Sequence, residues 1–215
     1  MSELNTQRSV REGSIEKRTA IIASSRELFI RHGVDGVSMD AVAAHAGVSK
    51  TTVYAYFGNK RQLFLAVLAD ASESLTATTR HALERHLGDG VAIASVAEFE
   101  EALTAFTLDL GMTVYSANYA AIFALVAQQR VQKPDSGEDL FTAAAEDAQA
   151  ERIAHFIELG LLDTDNPRLA ADHYNALTLL LAYNDQPDPV TADLARVRRS
   201  MIDGVHAFIR AYAVR

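Results

Sequence analysis

Residues 38–61 read SMDAVAAHAGVSKTTVYAYFGNKR, and this stretch decides how the N-terminal part of the chain folds. It contains a short helical pattern over 39–46, a break at Gly47, and a second short helical pattern that opens at Ser49. The small side chain of Ala43 lets two helices approach closely, and Gly47 permits the tight turn between them. Polar and aromatic side chains remain on the outer face of the second helix, and such side chains contact phosphates and base edges. The stretch therefore predicts a helix-turn-helix that enters the major groove of DNA.

The charge of the chain is unevenly distributed. Residues 1–65 hold nine Lys and Arg against six Asp and Glu, a net +3, whereas residues 66–215 hold 11 against 22, a net −11. The basic part coincides with the helix-turn-helix, as expected for a DNA-binding head on an acidic body. The chain has no cysteine, which excludes disulfides, thiolate metal sites and cysteine nucleophiles. Its polar first 13 residues and short apolar runs predict neither a signal peptide nor a membrane span, so we expect a cytoplasmic protein.

Helical spacing dominates the rest of the sequence, since β-branched alternation is short and hairpin turn signals are missing. The predicted helices cover 15–32, 39–46, 49–57, 60–87, 96–111, 116–131, 138–159, 168–183 and 191–213, with Ser38, Ser49, Asn166 and Thr191 as N-caps. The predicted fold class is all-α: a three-helix helix-turn-helix domain joined by a long fourth helix to a larger helical ligand-binding and dimerisation domain. The predicted divisions are a disordered arm at 1–12, the DNA-binding domain at 13–60, and the effector-binding and dimerisation domain at 61–215.

The last two predicted helices, 168–183 and 191–213, each carry an apolar face. The first face consists of Leu169, His173, Ala176, Leu177, Leu180 and Leu181, and the second of Leu194, Val197, Met201, Val205, Phe208, Ile209 and Tyr212. Two such helices from each of two subunits form a four-helix interface, which suits a protein that binds a two-fold symmetric DNA site. The alternative is that these faces only close the core of one subunit.

Residues 18–67 read RTAIIASSRELFIRHGVDGVSMDAVAAHAGVSKTTVYAYFGNKRQLFLAV and resemble the DNA-binding domain of TetR-family transcriptional regulators. The matching features, in order, are Leu28-Phe29, His32-Gly33, Ser38 with Val42-Ala43, Ala46 to Ser49, Thr52 to Tyr54, Phe57, Lys60 and Leu63. The likeness covers about 50 residues and is specific in order and spacing. Beyond about residue 70 it is architectural only.

The resemblance implies a homodimeric regulator, usually a repressor, that binds a pseudo-palindromic operator in double-stranded DNA. It also implies release from DNA by a small molecule bound in the C-terminal domain. The residues expected at the DNA are Ser38, Ser49, Lys50, Thr51, Thr52, Tyr54, Tyr56 and Lys60. Ala55 departs from the family pattern, in which a long side chain is common, and offers a base only apolar contact.

The effector site is predicted from composition alone, because ligand cavities in helical domains have apolar and aromatic walls with a few polar groups. The candidates are Phe99, Phe106, Tyr115, Tyr119, Phe123, Phe141, His155 and Tyr174. Their composition favours an uncharged or partly apolar ligand, and a cationic ligand held by aromatic faces is the alternative.

Other chemistry has little support in the sequence. The seven histidines are scattered without metal-ligand spacing, and no motif for a nucleophile or a phosphate-binding loop occurs, so we predict no metal, no cofactor and no catalytic residue. An activator fits the sequence as well as a repressor. A helical ligand-binding or scaffold protein whose head has lost DNA binding also fits, given Ala55 and the modest head charge. An α-helical enzyme has no motif in its favour.

Overall fold

The computed structural model describes the backbone of residues 2–132 and 140–215, and the side chains of residues 13–116, 119–127 and 142–215. Over these residues the regular secondary structure is helical, apart from one isolated backbone bridge between Leu162 and Ala213, and the predicted all-α fold is confirmed. Within the same ranges no single helix is long and apolar enough to cross a membrane, although one bent pair, Val96–Val114 with Tyr119–Ala127, passes that test together.

The helices are numbered here in chain order. They are α1 (Ser2–His32), α2 (Met39–His45), α3 (Lys50–Phe57), α4 (Lys60–Leu87), α5 (Val96–Val114), α6 (Ala117–Gln132), α7 (Leu140–Glu158), α8 (Pro167–Asn175), α9 (Leu181–Asp185) and α10 (Leu194–Tyr212), with a π-helical turn at Ala176–Leu180 between α8 and α9. A single helix was predicted over 168–183, and the π-helical turn within it was not foreseen. The described part of the chain divides into two compact units within α4, between Ala71 and Ser72, rather than at the predicted boundary after residue 60.

Two predicted helix starts differ from the observed ones. Helix α1 begins at Ser2, where a disordered arm over 1–12 was predicted, and residues 2–12 contain neither Gly nor Pro to stop the helix. Helix α10 begins at Leu194 and not at Thr191. Asp193 caps it by accepting the backbone N–H groups of Ala195 and Arg196, whereas the Thr191 hydroxyl donates to Asp188 at 2.9 Å.

The first unit contains α1 to α3, the first turns of α4, and α6 from Ala124. Its core buries the apolar residues that the helix-turn-helix pattern predicted, including Val42, Ala43, Val53 and Phe57. The start of α4 joins this core, because the Phe64 ring meets the Phe29 ring of α1 edge-on at 6.0 Å. This packing explains why the unit extends beyond residue 60. The apolar residues buried in this unit are Ile21, Ile22, Phe29, Val34, Val37, Met39, Val42, Ala43, Val53, Phe57, Leu63, Phe64, Val67, Leu68, Ala71, Leu125 and Val126.

The second unit contains the remainder of α4, α5, the start of α6, and the chain from α7 onward. In it α10 packs closely on the π-helical turn, since a Cβ added to Gly204 would lie 2.1 Å from the Leu177 carbonyl oxygen. The predicted dimer face of α10 is wrong in large part: five of its seven residues are buried within this unit, and the helix closes the core of its own subunit. They are Val197, Met201, Val205, Phe208 and Ile209.

Candidate DNA interface and effector cavity

Two serine hydroxyls define the ends of the helix-turn-helix. Ser38 Oγ accepts the backbone N–H of Ala41 at 3.1 Å, and Ser49 Oγ accepts that of Thr52 at 3.1 Å. Both serines are exposed and both are N-caps, as predicted. Gly47 between the helices has φ +66°, a conformation that glycine adopts without strain, and this turn directs α3 away from α2.

The outer face of α3 is accessible to a partner. Thr51 and Ala55 are exposed, and Tyr54 exposes 43% of its surface, while Val53 and Phe57 face the core. Thr52 is half-buried, with its hydroxyl 2.8 Å from that of Ser49. The face therefore offers hydroxyl groups and one aromatic ring to DNA, which suits phosphate contact and modest base readout.

Lys50, also on this face, is held by an acidic neighbour. Its Nζ lies 2.8 Å from Asp40 Oδ1, and the two side chains are 58% and 62% exposed. The hydrogen bond and the charge of Asp40 raise the pKa of Lys50, so it is a cation at neutral pH. A phosphate that binds Lys50 must therefore compete with Asp40, a partner that the sequence did not predict.

Tyr56 and Lys60 both bind other parts of the protein. The Tyr56 hydroxyl donates to the backbone carbonyl of Ser14 at 3.0 Å, and Lys60 Nζ donates to the carbonyls of Asp35 and Val37 at 3.1 Å each. These bonds fasten α3 to α1 and the start of α4 to the α1–α2 loop. Each residue thus has an intramolecular role beside its predicted contact with DNA, and the outward orientation predicted for Tyr56 is only partly met.

The predicted effector residues separate into two groups in the second unit. Phe99, Phe106 and Tyr174 belong to one aromatic cluster, in which Phe99 meets Phe156 at 4.5 Å and Tyr174 meets Phe208 at 5.7 Å between ring centroids. His155 packs edge-on against Phe156 at 5.4 Å.

The other group surrounds Tyr183. The rings of Tyr115 and Phe123 lie 4.9 Å and 6.1 Å from the Tyr183 ring. Tyr119 is buried, with its hydroxyl 3.3 Å from that of Ser74. The side chain of Phe141 lies outside the described residues. The predicted single neighbourhood is therefore two clusters.

The first cluster lines a cavity of about 20 Å³. Phe99, Phe106 and Tyr174 line it, and its other walls come from Leu83, Leu87, Leu103, Gln149, Arg152, Ile153, Phe156 and Phe208. This volume accommodates roughly one water molecule, so a larger ligand requires the walls to move apart. Tyr174 is fixed there by a hydrogen bond to Thr107 at 2.7 Å, and burial raises the pKa of its hydroxyl well above the usual value.

Two polar residues in the cavity wall were missed by the sequence analysis. Arg152 donates through Nη1 to Asp89 at 2.7 Å and lies 5.3 Å from the centre of the Phe156 ring. Gln149 is buried, and its amide oxygen accepts from Asn175 at 2.7 Å. Residues 149, 152, 153 and 156 follow the spacing of one helix face, and this signal was available in the sequence. Among the residues described, no group of His, Asp and Glu is arranged to hold a metal ion.

A groove with a volume of about 370 Å³ lies on the surface between α10 and the segment that includes the π-helical turn and α9. Leu177, Leu181 and Ala207 provide its apolar lining. Leucines that are about half exposed continue this apolar surface along α8, the π-helical turn and α9: Leu169 at 46%, Leu180 at 55% and Leu181 at 48%. The predicted dimer face of the earlier helix is thus exposed, in contrast to that of α10.

Comparisons with known proteins agree with this geometry. The model of the tetR family of bacterial regulatory proteins matches residues 21–67. The chain is 37% identical over 68 residues to the HTH-type transcriptional activator FasR of Mycolicibacterium smegmatis, a match that covers 32% of this chain and 31% of that protein. It is 50% identical over 40 residues to the HTH-type transcriptional repressor SCO4008 of Streptomyces coelicolor, covering 19% of this chain and 21% of that protein.

A solved structure extends the likeness along the chain. A tetR-family transcriptional regulator from Mesorhizobium loti MAFF303099 superposes with a TM-score of 0.81 at 24% identity, covering 94% of this chain and 98% of the other, which shows a shared fold. The two matched relatives are named as transcription regulators, in agreement with the prediction that the chain is not an enzyme. Residues 21–67 therefore form a DNA-binding domain of the tetR family of bacterial regulatory proteins.

Proposed function

We propose that the protein is a ligand-responsive transcriptional repressor that leaves its operator when a small molecule binds. The main support is the exposed face of α3, held at the end of a capped helix-turn-helix within the matched segment. Thr51 and Tyr54 are free to approach the major groove, and the Lys50 cation lies at the start of the same helix. Such a face binds DNA through phosphates first and selects bases second.

The proposed operator is pseudo-palindromic double-stranded DNA, bound by a homodimer in the cytoplasm. Exposed leucines on α8 and α9, together with the groove beside α10, support dimerisation through this surface. Replacing Leu181 by Glu places a charge on the apolar face and is expected to give monomers in sedimentation velocity. If that variant remains a dimer, the result contradicts this interface. The matched control for an added charge is Val190→Glu, because Val190 is 78% exposed in the loop before α10.

The effector site proposed is the aromatic cavity in the second unit. Its walls are mostly apolar, and Gln149 and Arg152 add polar groups from one face of α7, as in small-molecule sites. The ligand then acts by stabilising the state in which the cavity is open, and it shifts DNA binding only if that state has lower affinity for the operator.

Binding to the promoter region beside the gene tests the proposal. Fluorescence anisotropy with that fragment is expected to show sequence-preferring binding that weakens as salt increases, since phosphate contacts release counterions. Equal binding to a scrambled fragment contradicts the proposal and favours a protein whose head does not recognise an operator.

The sign of regulation needs a separate measurement, because one matched relative is named an activator and the other a repressor. Deleting the gene is expected to raise transcription from the bound promoter. A fall in transcription identifies an activator instead.

A further inference from the structure

The cavity in the second unit has a cationic side that faces aromatic walls. Arg152 is the charged residue in its lining, and no carboxylate is among the lining residues. Asp89, the partner of Arg152, is 86% exposed and carries its charge at the surface. The hydrogen bond and the charge of Arg152 hold the pKa of Asp89 below its usual range, so Asp89 is ionised, and its carboxylate lies at the surface.

The guanidinium of Arg152 has hydrogen-bonding capacity left over. Nη1 donates to Asp89. The Arg152 side chain is only 19% exposed, and its Nε–H is buried without a hydrogen-bond partner. A buried donor that lacks an acceptor is unfavourable, because it has lost its hydrogen bond to water. The Nε and Nη2 groups form the edge of the guanidinium that matches the two oxygens of a carboxylate.

The neighbouring side chain of Gln149 also carries hydrogen-bond donors. Its amide oxygen accepts from Asn175, and its NH2 group has two N–H donors. The opposite walls, which include Phe99, Phe106 and Phe156, suit an apolar body. Because Asp89 already pairs with Arg152, a ligand with a single negative charge suits this guanidinium better than a dianionic phosphate.

From these contacts we infer that the effector is an amphipathic monocarboxylate, with its carboxylate on the free edge of Arg152 and its apolar part among the aromatic walls. This inference deepens the proposed function. The effect of the ligand on operator binding rests on that function, whereas binding of the carboxylate to the cavity does not. The inference replaces the uncharged or cationic ligand predicted from composition. The reason is that Arg152 and Gln149 were not recognised as wall residues in the sequence.

Matched acids and amides test the inference with the full chain. The probes are hexanoate, 3-phenylpropanoate and 4-phenylbutanoate, each beside its primary amide, titrated calorimetrically at pH 7 without DNA. At least one acid is expected to bind about tenfold or more tightly than its amide. Absence of any preference for the acid in all three pairs overturns the inference, and leaves a bound water as the occupant of the cavity.

Three variants separate ligand binding from structure. Arg152→Met is expected to weaken the acid about tenfold to a hundredfold and to leave the amide unchanged. Arg152→Lys keeps the charge without the planar edge and is expected to lie between, which preserves the test if the methionine variant does not fold. Asp89→Asn removes the ion pair while retaining the guanidinium, and is expected to keep the preference for the acid. Equal losses in Asp89→Asn and Arg152→Met show that the ion pair only supports the fold, and overturn the inference.

Operator binding by the unliganded wild-type protein is measured in parallel. Operator binding without any acid preference refutes the ligand class alone. Acid preference without operator binding refutes the proposed function alone, and supports the ligand class.

Discussion

Replacing Asp40 by Asn is expected to strengthen binding to the operator, because it frees the cation at the start of α3. Asp40 Oδ1 lies 2.8 Å from Lys50 Nζ, and both side chains are more than half exposed. Exposed ion pairs of this kind are weak, so the gain in affinity is limited to about twofold to fivefold at low salt. The complementary variant, Lys50→Ala, is expected to weaken binding and to reduce the slope of log affinity against log salt by about one, the effect of losing one phosphate contact.

The assay is fluorescence anisotropy on the promoter fragment at several salt concentrations, with both single variants and the double variant. If Asp40 acts by occupying Lys50, then Asp40→Asn has no effect in the Lys50→Ala background. An equal gain in both backgrounds shows that Asp40 acts through its own charge near the DNA. Unchanged affinity and slope in Lys50→Ala remove this lysine from the interface.

Three further predictions concern the stability of the fold. Gly204→Ala is expected to lower the free energy of unfolding by about 1–3 kcal/mol, because the added methyl group meets backbone atoms, whereas Gly13→Ala, with open space around its Cβ, is expected to raise it by up to about 1 kcal/mol in denaturant titrations. Tyr174→Phe is expected to cost about 0.5–1.5 kcal/mol in the same assay, because it removes the hydrogen bond donated to Thr107, whose own hydroxyl proton is given to a backbone carbonyl. Asp109 has its pKa lowered from 3.8, first by a histidine hydrogen bond, so its stabilising effect is complete above that pH and is lost as the pH falls below it. The thermal midpoints of wild type and Asp109→Asn are therefore expected to differ at pH 7 and to converge as the pH falls through the lowered pKa of Asp109.

The helix-turn-helix was predictable because its determinants are local. The caps Ser38 and Ser49, the turn at Gly47 and the buried Val53 and Phe57 lie within about 20 residues of one another, and each follows from backbone conformation or helical spacing. Over residues 2–12 the polar composition predicted a disordered arm, whereas helix α1 begins at Ser2. No helix-breaking residue lies in this segment.

The partners of the interface residues were not predictable in this way. Lys60 donates to carbonyls more than 20 residues earlier, and Tyr56 bonds to Ser14, 42 residues away. Such contacts depend on how α1 lies against α3 and α4, which no local pattern specifies. The role of Arg152 in the cavity wall was also not predictable from local sequence, because Arg152 has an ordinary charged sequence context. Arg152 is distinguished only by its contacts with Asp89 and Phe156 in the fold.

The apolar faces of the last helices show what periodicity leaves undetermined. An apolar stripe indicates that a helix face is covered, but the covering surface can belong to the same subunit or to another. In α10 the absence of a side chain at Gly204 lets the π-helical turn approach closely. The apolar stripe of α10 is therefore buried within its own subunit. Leu169, Leu180 and Leu181 remain exposed, and Leu181 lines the surface groove together with Gly204. Arg199, Ser200 and Ala207 of α10 line the groove beside Leu177 and Leu181, so the dimer surface that we propose includes these polar and small residues and not the apolar stripe of α10.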